Sequence, residues 1–232
     1  LTNDQIQSTR DLFDIEDTNN VYETSVDAND LYNYLGIAGG DTSSLISSVM
    51  VQKQDAGKGV KVKIITEDNI TKITSNQYAN AAITAGVSDV EIDVASVSKV
   101  TGESALTGVY KALEANGETL DLDRTQVAQD ELETTNEIAE NNADNSNFDS
   151  GRLDQAMVEI KQELAEIKKN QGSAATAEQV EQVVTDALKK FNLSDIISQD
   201  DIDKLIAFAK KYQNTSAIDS QEVLEQLNKL SG

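Results

Sequence analysis

Apolar residues return along this chain first in short mixed rhythms and then in long helical ones. In the opening "LTNDQIQSTRDLFDI", Thr2 and Gln5 have capping-box spacing and Ile6, Leu12 and Phe13 form a stripe, so a helix is predicted. "NVYETSV" alternates and predicts a strand from Val21 to Val26, followed by a helix over "DANDLYNYLGI" closed by Gly36. In "SLISSVMVQKQDAGKGVKVKIIT" two β-branched runs flank Asp55 to Gly59, whose glycines suit a hairpin turn, so an antiparallel pair is predicted. Thr74 and Gln77 repeat the capping spacing before "NQYANAAITAG", and Gly86 suits that helix's end. A half-buried strand then puts Val90, Ile92 and Val94 on one face and Asp89, Glu91 and Asp93 on the other.

From Glu118 to Asp149 ten acidic residues meet one base, Arg124, and "AENNADNSNFDSG" carries turn formers without apolar periodicity. Beyond it every pattern is helical. Leu153, Met157, Ile160, Leu164 and Ile167 follow the spacing of a coiled-coil seam, too short for a free-standing coiled coil. Packing within a bundle is the favoured reading, and weak self-association through the 153–167 helix is the alternative. Three more stripes follow, led by Val180, Ile202 and Val223. The expected architecture is α+β: a small mixed or antiparallel sheet with packed helices over 1–117, an acidic helix and linker over 118–150, and a helical domain over 151–232.

Composition narrows the chemistry. The 232 residues contain no Cys, His, Trp or Pro, which excludes thiolate nucleophiles, His-dependent triads and Cys/His zinc sites. A formal charge of -22 repels phosphate backbones and anionic headgroups, so nucleic acid is not an expected partner. No apolar run reaches the roughly 18 residues of a membrane span, and no transmembrane segment is expected. The chain begins at Leu1, not Met, for which a removed signal peptide is one ordinary cause.

"VTGESALTGVYKALE" holds the candidate binding residues Thr101, Gly102, Ser104, Thr107 and Gly108. Thr101 is placed to cap a helix, and Gly102 and Ser104 could present backbone donors to an anion. Gly108 falls inside that helix, where glycine costs about 1 kcal/mol against alanine, so another backbone or a ligand must come close. Close helix-to-sheet packing is the preferred explanation. Neither Thr-Gly pair is followed by the Lys-Ser/Thr of a nucleotide-binding loop. Asp121, Asp123 and Thr125 begin like a calcium loop, but Gln126 and Leu132 stand where Gly and Glu are required. The oxygen-rich "DNSNFDSG" is a candidate for a weak calcium site of another kind. No catalytic residue, resident metal or cofactor is assigned.

"NQYANAAITAGVSDVEIDVAS", "VTGESALTGVYKALE" and "AQDELETTNEIAE", in that order, resemble the YpuA-like family of exported Gram-positive proteins, a domain of unknown function. The resemblance covers roughly Leu1 to Glu140 and is most specific at Val100, Thr101, Gly102, Ala105, Leu106, Thr107 and Gly108. It implies export and an extracellular or cell-wall-associated location, and brings no catalytic residues. The leading expectation is a non-catalytic envelope protein that binds a wall component or another protein. The alternative is a cell-wall glycan hydrolase using paired carboxylates, which a cleft with two buried carboxylates and stacking aromatics would favour.

Overall fold

In the computed structural model, which describes residues 1–38 and 42–232, the first helix starts where local chemistry places it. The Thr2 hydroxyl accepts from the Gln5 amide while the Gln5 side chain accepts from the Thr2 amide, opening α1 (Asn3–Leu12). Asp27 and Asp30 do the same for α2 (Ala28–Leu35), and Gly36 closes it at φ 71°. No strand forms over Val21 to Val26. Thr18–Asn20 is a 3₁₀ turn, and the segment beyond it pairs with no strand, Tyr22 standing 73% exposed. Alternation alone makes no strand where no edge is present to accept its amides.

The predicted hairpin is also replaced. Strands β1 (Ser48–Lys53) and β2 (Val60–Ile64) do not pair with each other; β3 (Val90–Ala95) lies between them, antiparallel to β1 and parallel to β2. The loop joining β1 to β2 straddles the start of β3 at Asp89. The Asp89 carbonyl accepts from the Gln54 amide and its carboxylate from the Gly59 amide, both at 2.8 Å. Gly57 and Gly59 keep the positive φ that a turn needs, but serve this wider loop. Val90, Ile92 and Val94 face inward beside Val60, Val62 and Ile64 on one flank and Val49 and Val51 on the other, as the alternation predicts.

Helix α3 (Ser75–Ala85) returns from β2 to β3 and is buried from Gln77 through Ala85. Its alanines let neighbours close in on every side: β2, α5 (Leu122–Asn141), α6 (Ser150–Gln171) and α9 (Gln221–Ser231) all pack on it. Helix α4 (Ala105–Ala115) covers β1, while α7 (Ala177–Lys190) and α8 (Gln199–Gln213) complete the helical layer. The buried apolar residues form one cluster from Tyr34 through the sheet to Leu227. The acidic stretch 118–150 is not a bare connection, because α5 buries Ala128, Leu132 and Ile138 completely and points most of its carboxylates outward. One buried cluster includes residues on both sides of the divisions expected at 117 and 150. Leu153, Met157, Ile160 and Leu164 are fully buried in the same cluster and Ile167 packs against it, so this seam is not free to take a second copy. No helix among the described residues is long and apolar enough to cross a membrane.

Candidate functional site

The fold engages Gly102, Ser104, Thr107 and Gly108 of the Thr-Gly motif and leaves Thr101 exposed. Thr101 is exposed and does not cap α4; Ser104 takes the cap position without a side-chain cap bond. The reason is the turn between them. Gly102 has φ 84°, its carbonyl accepts from the Ala105 amide at 3.2 Å, and helical backbone begins beyond the reach of Thr101. The same carbonyl accepts the Tyr78 hydroxyl at 2.6 Å, and a Cβ on Gly102 would fall on that hydroxyl and 3.0 Å from Ile70 Cγ2. Burial pushes the Tyr78 phenol well above its ordinary range, which keeps it a donor. Ser104 Oγ lies 3.2 Å from Ser47 Oγ. Thr107 is wholly buried, its hydroxyl without a protein partner.

Gly108 faces β1, where a Cβ would stand 2.9 Å from Val49 Cγ2, which is the close helix-to-sheet approach its position predicts. Three substitutions separate these glycines. Gly102→Ala should cost about 2 to 3 kcal/mol, from left-handed backbone strain plus the collision with Tyr78 and Ile70. Gly108→Ala should change little, since relief of an interior glycine offsets the Val49 contact, whereas Gly108→Leu should cost about 1 to 3 kcal/mol by overpacking. Urea unfolding at constant m-value checks all three.

The second constellation is one that sequence reasoning missed. Lys161 on α6 is 0% exposed, and its Nζ donates to Glu131 Oε2 at 2.9 Å and Oε1 at 3.2 Å, to the Asn80 carbonyl at 3.2 Å and to Thr84 Oγ1 at 3.3 Å. The Thr84 hydroxyl donates in turn to Glu131 Oε1 at 2.6 Å. Glu131 comes from α5, and Asn80 and Thr84 from α3, so one buried ion pair joins three helices. Burial lowers the Lys161 pKa, and Glu131 works against that shift. Two turns before Lys161 on α6 lies Asp154, 3% exposed, whose Oδ2 accepts from Thr74 Oγ1 at 2.7 Å and whose Oδ1 has no protein partner. Its backbone carbonyl accepts from Asn80 Nδ2 at 3.1 Å. Desolvation raises the Asp154 carboxyl to about 7, with Thr74 opposing and Asp149 reinforcing the shift. A signal was present in the sequence: Asp154 and Lys161 flank Met157 at helical spacings, and Glu131 sits between Ala128 and Thr135, so charges interrupt both apolar stripes.

The remaining sequence candidates are structural where the fold uses them. Asp121 accepts from the amides of Asp123 and Arg124 as the N-cap of α5, and Asp149 caps α6. Arg124, the lone base of the acidic stretch, donates through Nε to the Thr84 carbonyl at 2.9 Å at the C-terminus of α3, where a cation is favoured. Among the described residues no three acidic side chains are grouped to hold a metal ion. Two surface clefts of about 400 Å³ each are lined by neither Glu131 nor Asp154: one lies between α6 and α7 beside Glu159, Glu163 and Asp186, the other beside Lys72, Glu140 and Phe148.

These features define a small α+β sheet protein wrapped in helices, with its buried charges spent between helices. The chain belongs to the family described as "Protein of unknown function (DUF1002)", which matches residues 1–230. It is similar to "Uncharacterized protein YpuA" of Bacillus subtilis (strain 168), 34% identical over 184 residues, or 79% of this chain and 57% of the relative. The match thus spans a little over half the length of that relative. No solved structure matches.

Proposed function

We propose that the protein is an exported, cell-envelope-associated, non-catalytic protein that binds a wall component or another protein. The observation that carries the non-catalytic part is the enclosure of Glu131 and Asp154, at 1% and 3% exposure. A glycosidase needs two carboxyl groups that reach a sugar between them. Here Glu131 is held by Lys161 and Thr84, and Asp154 by Thr74, inside the packing of α3, α5 and α6. The envelope part rests on the resemblance at the Thr-Gly motif. Fractionation of the source organism tests the location: the protein should be found outside the membrane or with the wall, and a purely cytosolic distribution would refute it. Purified wall sacculi and envelope proteins should retain the purified chain without releasing soluble glycan. Glycan release that disappears in Glu131→Gln would establish the hydrolase instead.

A further inference from the structure

The large apolar side chains that the fold leaves exposed come mostly from one segment of the chain. Among the described residues they are Leu1, Tyr22, Tyr32, Ile37 and Leu122, between 42% and 73% exposed. Four belong to the N-terminal segment and the fifth opens α5. Side-chain ties link the parts of this segment to one another and to α4 and α5. Arg10 on α1 grips Glu23 through Nε and Nη2 at 2.7 and 2.6 Å, beside Tyr22. Lys111 joins the Ser25 carbonyl to Asp30 on α2, both at 2.6 Å, and Tyr32 follows on that helix. Thr125 Oγ1 donates to the Tyr34 carbonyl at 2.8 Å, seating the end of α2, and with it Ile37, on the first turn of α5 where Leu122 lies. Helix α1 itself buries no residue.

The same segment is strongly acidic. Residues 1–38 hold eight acidic residues against Arg10 alone, and only Glu23 and Asp30 are in ion pairs. We propose that this N-terminal face docks a cationic, amphipathic segment of a partner protein. The idea rests on the binding function proposed above and gives it a surface and a partner chemistry. Tyrosine rings suit such a partner, because they offer apolar area and faces that attract Lys and Arg. Charge selects among the alternatives: a second copy brings the same acidic face, and anionic lipid or nucleic acid is repelled.

The test uses the full chain and a fluorescent Lys/Leu amphipathic peptide, with a Lys/Ser peptide of equal charge as the control for unspecific attraction. The Lys/Leu peptide should bind at least about tenfold more tightly, and Tyr22→Ser/Tyr32→Ser should remove about that factor, the loss expected when aromatic anchors are truncated. Both tyrosines are exposed, and unchanged unfolding of the double variant confirms that only the surface is altered. Glu178→Gln/Glu181→Gln on α7, at a different exposed site, should leave the preference intact. Equal binding of the two peptides, or an unaffected Tyr22→Ser/Tyr32→Ser variant, would overturn the proposal. So would self-association that the same double variant abolishes, since the occupant would then be a second copy. Wild-type retention of the double variant on envelope material would overturn this surface while leaving the proposed function standing.

Discussion

Lys161→Met should destabilise the protein by about 3 to 5 kcal/mol, the range for removing one partner of a buried ion pair. The loss comes less from the missing attraction than from what remains. Glu131 would be left 1% exposed with Thr84 as its hydrogen-bond donor, and the Asn80 carbonyl would lose Nζ. Adding Glu131→Leu should restore much of the stability, because replacing both charges with apolar groups removes the desolvation penalty along with the attraction. Urea denaturation of the single and double variants measures the cycle. A Lys161→Met variant within about 1 kcal/mol of the parent would show that the pair is not buried as described.

The second large effect depends on pH. The Asp154 carboxyl is raised to about 7 in the folded protein, against an ordinary value near 3.9 when unfolded. The folded state therefore holds this proton more tightly. Its contribution to stability is intact below about pH 4, declines between about 4 and 7, and is gone above, a total of about 4 kcal/mol for three pH units. Asp154→Asn keeps an oxygen to accept from Thr74 and carries no charge to desolvate. Relative to the parent, it should gain about 2 to 3 kcal/mol between pH 5 and pH 8. Taking this difference at each pH cancels the opposing contributions of Asp27 and Asp89, whose carboxyls backbone amides hold below the ordinary range. Parallel curves for the two proteins would sink the assignment.

What the sequence settled by itself was local. The capping pairs Thr2/Gln5 and Thr74/Gln77 each open a helix, Gly36 and Gly86 each close one, and Val90, Ile92 and Val94 face inward. Such signals act within a few residues through backbone hydrogen bonds and side-chain period, so no distant partner is required to read them. Gly108 was legible for a related reason: an interior glycine is costly, and the cost implied the close neighbour that Val49 supplies. Tertiary structure decided which faces meet. The run "VQKQDAGKGVKV" has the glycines of a hairpin, yet β3 takes the central place because its amides and carbonyls can be satisfied on both edges there. Thr101 lost the cap of α4 to the turn that Gly102 makes beneath Tyr78, a residue 24 positions away. The charges in the stripes of α5 and α6 were visible, but their meeting was not. Periodicity gives the face on which Glu131 and Lys161 lie, whereas only the packing of three helices brings them to 2.9 Å and closes them from water.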